Sequence, residues 1–289
     1  MRLKNERKQI AITTMTFYPR WYRGKLSSIK HTDKVRGDLA IEFLNKATKD
    51  GYQVIVADGK SSKSFRKTIL KIPNLILIKR KSHNRSLAKK QTLLKASKLT
   101  NIKVIVISEP EKVSLLSCID KITLPILENK AEIVIPNRNQ ILFEETYPKY
   151  QYESETEGNI LYNQILKTNG LLSKQHEDFD IFFGPSCFAN KKNIISLFNH
   201  GYNLKIDHSK NLRLFLNSDL YSNSLYMPIV LALKKRLRVI SLPVDFSYPR
   251  AQKDNEDRGS KELFIEKRKN QKMSILIELL YFINYLKTK

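Results

Sequence analysis

Six short runs of β-branched and apolar residues punctuate the chain: QIAITTM (9–15), YQVIVAD (52–58), NLILIK (74–79), KVIVIS (103–108), EIVIP (132–136) and RVISLPVDF (238–246). Each has the length and composition of a buried strand, and most are separated by stretches with helical spacing. Between Lys34 and Asp50 the apolar positions Val35, Leu39, Ile41, Phe43, Leu44 and Ala47 suit an amphipathic helix, with Gly51 as its stop. Residues 84–98 and 218–235 read as two more helices. Such alternation predicts βαβ units: an α/β fold with a mostly parallel central sheet flanked by helices. No repeat, low-complexity linker or composition break divides the chain, so one domain spanning residues 1–289 is expected, closed by a C-terminal helix over 257–289.

Composition narrows the partners more than the fold. With 289 residues and 41% hydrophobic content the chain can bury a sizeable core, which argues against disorder. The net charge of +24 suggests an anionic partner: nucleic acid, a membrane surface or a phosphorylated substrate. The basic residues are scattered from end to end, however, and solvated faces account for them equally well. Cys118 and Cys187 are too few for a disulfide framework or a thiolate metal site, which fits a reducing cytoplasm. No apolar stretch of signal-peptide length precedes the first strand. The apolar run 275–283 is too short to span a bilayer and is interrupted by Glu278. It is expected to pack on the core or, alternatively, to lie at the inner membrane surface of the cytoplasm.

Open parallel sheets bind ligands beyond the carboxyl ends of their strands, so the residues just after each run form one set. They are Thr13, Thr14 and Thr16 after the first, Asp58-Gly59 after the second, Arg85 and Lys89 beyond the third, and Glu109 and Glu111 after the fourth. Asp58 is either the start of a turn or an acceptor for a nucleobase or ribose hydroxyl, and the serines that follow can cap a helix. Arg85, Lys89 and Lys90 form either a solvated basic face or a helix-terminal anion site suited to a diphosphate. Glu109-Pro110-Glu111 places two carboxylates at a strand end, stiffened by a proline that ends the ladder. They can hold a hard divalent cation such as Mg²⁺ or Mn²⁺, or simply open the next helix.

Taken in order, ITTMTFYP, VADGKSS, NRSLAKKQ and ISEPE resemble the strand-end segments of family-2-like glycosyltransferases of the GT-A fold, over roughly residues 9–250. The resemblance implies a nucleotide-binding half over about 9–130 and an acceptor-side half over about 131–250. It implies nucleotide contacts from Thr13, Thr14, Asp58, Arg85 and Lys89, with Glu109 and Glu111 as ligands for Mg²⁺ or Mn²⁺. The usual Asp-x-Asp is Glu-Pro-Glu here, whose longer side chains shift or weaken a metal site. In the second half, Arg138 and the aromatics Tyr147, Tyr150 and Tyr152 fall in a segment resembling the acceptor-site floor. FDIFFGPSCFANKKNI resembles a stretch in which a glycine, Gly184, admits the donor sugar. Asp219 stands where inverting members carry a general base, with Asp180 in the acidic loop 176–180 as the other candidate. No late histidine ligand is matched, since Tyr248-Pro249-Arg250 occupies that place.

The reading that follows is a glycosyltransferase using a nucleotide-sugar donor and a hydroxyl acceptor, with the positive charge favouring an anionic or membrane-associated acceptor. No specific nucleic acid is expected as a partner. A nucleic-acid- or anionic-membrane-binding protein on the same scaffold is the alternative from another class. A sugar-phosphate nucleotidyltransferase is a third, although TTMTFYPRWYRGKL lacks the glycine cluster such enzymes carry after their first strand.

Overall fold

The computed structural model describes residues 6–81, 85–199, 226–259 and 261–288. Among the described residues seven strands form one sheet in the order β3-β2-β1-β4-β6-β5-β7. They are β1 (Ile10–Thr16), β2 (Gln53–Asp58), β3 (Leu75–Lys79), β4 (Val104–Ile107), β5 (Ile133–Arg138), β6 (Ser186–Ala189) and β7 (Val239–Val244). All pairings are parallel except those of β6, which runs antiparallel to both β4 and β5. The mostly parallel α/β fold expected from the alternation is therefore the fold observed.

The helices are α1 (Thr32–Lys49), α2 (Lys63–Ile69), α3 (Arg85–Ser97), α4 (Ile119–Leu127), α5 (Gln140–Thr146), α6 (Lys149–Thr168), α7 (Lys192–Ile195), α8 (Tyr226–Lys234), α9 (Arg250–Gly259) and α10 (Lys261–Lys287). Helix α1 buries Val35, Ala40, Phe43, Leu44 and Ala47 on one face and carries Asp33 in its first turn and Lys46 and Lys49 in its last, matching the helix dipole. Gly51 then adopts φ +97°, a conformation that favours glycine and lets the chain turn into β2. Strands β1, β2 and β4 are covered on both faces, which explains the unbroken apolar runs of β2 and β4.

Two features of the sheet position the site. First, the chain runs β1, β2, β3 outward in one direction and then crosses to β4 on the other side of β1, so the strand order reverses between β1 and β4. Crevices at such reversals are where open α/β sheets take their ligands. Second, β6 pairs Ser186 with Ile107 at the carboxyl end of β4. Its antiparallel direction thus delivers Gly184, two residues earlier, to the same edge as Glu109.

The sequence placed one C-terminal helix over 257–289; α9 ends at Gly259 and α10 carries the rest. Helix α10 buries Ile275, Leu276, Leu279, Phe282 and Ile283 against the protein, so the apolar run packs on the core. Among the described residues no helix is long and apolar enough to cross a membrane. Strand β6 was absent from the sequence reading, because Ser186-Cys187-Phe188-Ala189 is short and lacks any β-branched residue.

Candidate functional site

A cleft of about 390 Å³ opens at the carboxyl ends of β1 and β4, within the ~300–1,000 Å³ usual for small-molecule sites. Its floor is Thr13 to Tyr18 and Ile107 to Lys112; α3 contributes Lys89, and the turn before β6 contributes Phe183 and Gly184. Of the strand-end and glycine positions singled out in the sequence, Thr13, Thr14, Thr16, Lys89, Glu109, Glu111 and Gly184 line this one space.

The threonines differ in state. Thr13 Oγ1 donates to the Val106 carbonyl at 3.1 Å and belongs to the sheet. Thr14 Oγ1 is buried at the cleft without a partner, and an unsatisfied buried hydroxyl costs about 1–3 kcal/mol unless a ligand or water meets it. Glu109 Oε2 is likewise buried without a hydrogen-bond partner. Glu109 also explains Gly184, which adopts φ +95°: a Cβ there would lie 3.0 Å from Glu109 Oε1 and 3.2 Å from Oε2.

Glu111 is already engaged. Its Oε1 accepts from the Tyr18 hydroxyl at 2.8 Å and lies 3.0 Å from Arg36 Nε on α1. The Arg36 guanidinium is held charged by Glu111, whose attraction outweighs the cost of burial. Lys112 Nζ stands 3.9 Å from Glu109 Oε2, over the rings of Phe183 at 4.7 Å and Phe246 at 5.3 Å. Burial pulls its amine below the usual lysine range, while Glu109 and Glu155 oppose the shift.

A divalent cation needs several hard oxygen ligands. The pair expected to supply them offers only Glu109, because Glu111 is taken up by Arg36 and Tyr18. Among the described residues no group of three or more His, Cys, Asp or Glu is placed to hold a metal ion. The donor set as folded does not fit a divalent ion at Glu-Pro-Glu.

Asp58 lies behind the cleft rather than in its lining. It accepts from the backbone N–H groups of Lys60 and Ser61, both at 3.1 Å, and from Thr16 Oγ1 at 2.9 Å. These bonds are those of a tight turn, and the Ser62 hydroxyl accepts from Phe65 N to cap α2. Gly59 has a separate reason to lack a side chain: its Cβ would fall 2.5 Å from Nη1 of Arg80, which passes over it into the cleft. Arg85 opens α3.

Arg138, Tyr147 and Asp180, expected on the acceptor or catalytic side, lie behind the cleft wall. Arg138 Nε donates to Asp180 Oδ2 at 2.6 Å, Nη2 to Oδ1 at 2.7 Å, and Nη1 to Glu155 Oε2 at 2.7 Å. The guanidinium also lies 3.5 Å from the centre of the Phe143 ring and 4.9 Å from that of Tyr147. Asp180 further accepts from Asn159 Nδ2 at 2.6 Å. A carboxylate so enclosed and paired is not placed to meet a substrate hydroxyl, which corrects the expectation for Asp180. Asp219 lies outside the described residues.

What the sequence reading missed is the wall this network supports. Glu155 on α6 does line the cleft, held by Arg138, by Gln151 Nε2 at 2.8 Å and by Arg268 Nη1 at 3.4 Å. Arg268 belongs to α10, which also brings Phe264, Lys267 and Gln271 to the cleft. Glu256 on α9 accepts from the Tyr248 hydroxyl at 3.0 Å. Among the described residues the lining thus carries six cationic residues, Arg36, Arg80, Lys89, Lys112, Lys267 and Arg268, and four carboxylates, Glu109, Glu111, Glu155 and Glu256.

No family model matches the sequence, and neither does any curated protein. Solved structures do match. Glucosyl-3-phosphoglycerate synthase from M. tuberculosis superposes with a TM-score of 0.53 at 9% identity, over 97% of this chain and 82% of that one. TarS from S. aureus (residues 1–349) gives a TM-score of 0.44 at 11% identity over 95% and 71%. The 4-diphosphocytidyl-2C-methyl-D-erythritol synthase of Anaerococcus prevotii gives 0.45 at 13% identity over 88% and 97%. The first of these likenesses shows that the chain has a GT-A-like α/β fold.

Proposed function

We propose that this protein is a glycosyltransferase that moves a sugar from a nucleotide-sugar donor to a hydroxyl acceptor. The observation that carries the reading is the cleft at the β1/β4 reversal, where an unpartnered Thr14 hydroxyl, the Glu109 carboxylate and Gly184 converge with cationic side chains. The fold by itself does not define an activity; the site does.

In this reading the nucleotide lies over the carboxyl ends of β1 and β2, near Thr13 and Thr14, with Asp58 shaping the floor beneath it. The diphosphate faces Lys89, Arg80 and the opening of α3 at Arg85. The donor sugar rests against Gly184 and Glu109. In the transfer step the acceptor oxygen attacks the anomeric carbon, the bond from that carbon to the diphosphate oxygen breaks, and its electron pair leaves with the diphosphate. The hydroxyl proton passes to a carboxylate base, a role assigned to Asp219 from its sequence context. Mg²⁺ or Mn²⁺, which the family resemblance implies, would have Glu109 alone of the Glu-Pro-Glu pair to meet it.

The acceptor enters between α6, α9 and α10, where Lys267 and Arg268 stand beside Glu155 and Glu256. Positive side chains there favour an acceptor bearing an anionic group. A protein that merely binds nucleic acid or an anionic membrane would draw on the same +24 charge. Four carboxylates inside the cleft favour a small ligand that meets both signs over a polyanion.

Release of nucleoside diphosphate from UDP-, GDP-, CDP-, ADP- and dTDP-linked sugars, with water in place of the acceptor hydroxyl, tests the reading. Release from one base class, abolished in Glu109→Gln, supports it. No release and no binding of any of the five contradicts it.

A further inference from the structure

Both carboxylates of Glu-Pro-Glu face a cation of the chain itself. Arg36 Nε lies 3.0 Å from Glu111 Oε1, and Lys112 Nζ lies 3.9 Å from Glu109 Oε2. The two cations come from different elements, α1 and the turn after β4, and both line the cleft. Each pair is also fixed by something besides its cation–carboxylate contact. Lys112 is held over the faces of Phe183 and Phe246, and the Tyr18 hydroxyl shares the oxygen to which Arg36 is paired. On the opposite side, Gly59 clears a path along which Arg80 reaches the same space as Lys89.

We infer that this cleft binds a nucleoside diphosphate without a divalent cation, with Lys112 and Arg36 supplying the positive charge at Glu-Pro-Glu and Lys89 and Arg80 completing it across the cleft. The inference rests on the nucleotide-sugar reading and changes one part of it, the agent that neutralises the diphosphate. Two considerations favour fixed cations over a bound ion. A hard ion at this edge would have one carboxylate with an unsatisfied oxygen, and it would sit against an ammonium and a guanidinium that repel it. Guanidinium and ammonium groups bind phosphate oxygens well on their own, the former through paired N–H donors. The positive charge that a departing diphosphate needs is then built into the fold, where it requires no reorganisation during the reaction.

Isothermal titration of UDP, GDP, CDP, ADP and dTDP into the full chain, once in EDTA and once in excess Mn²⁺, tests this. Each nucleoside without its diphosphate serves as the control. One diphosphate is expected to bind with dissociation constants that agree within about twofold in the two conditions. Lys112→Met keeps the contact with the two rings but removes the charge. It is expected to weaken the diphosphate roughly tenfold or more in EDTA, as loss of one charge-assisted contact does, and to leave the nucleoside unchanged. Arg36→Gln combined with Glu111→Gln, which keeps that pair neutral on both sides, is expected to weaken it likewise. Binding only in Mn²⁺ overturns the inference and leaves the nucleotide-sugar reading standing. Undiminished diphosphate affinity of both variants in EDTA overturns the role given to Lys112 and Arg36. No binding of any diphosphate in either condition overturns the nucleotide-sugar reading and the inference with it.

Discussion

Arg36 Nε lies 3.0 Å from Glu111 Oε1, so the second carboxylate of Glu-Pro-Glu ties α1 to the turn after β4. Glu111 is almost fully buried and also accepts from the Tyr18 hydroxyl. Its removal therefore acts on stability as well as on any ligand. Glu111→Ala is expected to lose about 1–3 kcal/mol, the cost of leaving a buried donor and a charge without their partner. Glu111→Gln should lose less, because it still accepts from Tyr18. Equilibrium urea unfolding of both variants checks this, and equal stability of wild type and Glu111→Ala contradicts the pairing.

The Arg138 network predicts a larger effect with no direct part in ligand binding. Arg138 is buried between Asp180 and Glu155, and its loss strands two carboxylates in the interior. Arg138→Met should cost about 3–5 kcal/mol, the range for breaking a buried ion pair from one side. At a few degrees per kcal/mol for a chain of this size, the melting temperature falls by at least about 6 °C. A shift near zero in a thermal melt rules the network out as a support of the cleft wall.

The same network sets an acid limit. Burial alone would raise the Asp180 pKa, and the Arg138 charge with the Arg138 and Asn159 hydrogen bonds outweighs it and holds the carboxyl below its ordinary value. A depressed folded-state pKa contributes stability that is complete above the unfolded-state value, near ~4, and is lost as pH falls toward the folded-state value. Melting temperatures taken downward from about pH 6 should fall more steeply below about pH 4 in wild type than in Asp180→Asn. Parallel profiles contradict the assignment.

Asp180 and Asp219 separate by readout. Asp180→Asn should lower the melting temperature and leave a nucleoside diphosphate bound with near wild-type affinity. Asp219→Asn should abolish sugar transfer, by about 10²–10⁴-fold for a lost general base, without weakening the nucleotide. Full transfer by Asp219→Asn moves the base elsewhere among the cleft carboxylates, with Glu109 the first to substitute.

Gly184 gives a steric prediction. Its φ of +95° and the Glu109 carboxylate 3.0 Å from a Cβ position both oppose a side chain. Gly184→Ala should lose about 1–3 kcal/mol from backbone strain and displace Glu109 from the cleft edge. Donor hydrolysis is then expected to fall further than stability alone explains, and the pair of assays on one preparation distinguishes the two.

The strands that carry the site were legible because β1, β2, β4 and β5 are covered on both faces and each carries a contiguous apolar run. The convergence of Thr14, Lys89 and Glu109 was legible for a related reason, since parallel strands bring their carboxyl ends to one edge; Gly184 was expected there only from the resemblance, and it arrives through antiparallel β6. What failed to show was pairing at long range. Arg138 and Asp180 are 42 residues apart, and no local spacing marks one as the partner of the other, so both read as polar candidates for a ligand. Arg36 carried no signal of its own in the sequence, and only the packing of α1 brings it to Glu111. Helix α10 read correctly as a core helix from Ile275 onward. Its first turns line the cleft through Phe264, Lys267, Arg268 and Gln271, a placement set by its packing on α6 rather than by its own sequence.

A crystal structure with the tightest-binding nucleoside diphosphate, grown in EDTA, tests the site itself. Density for the base over Thr13 and Thr14, with the diphosphate within hydrogen-bond reach of Lys112 and Lys89, is the expected result. A diphosphate bound outside this cleft, or with its phosphates turned away from Glu109 and Lys112, contradicts it.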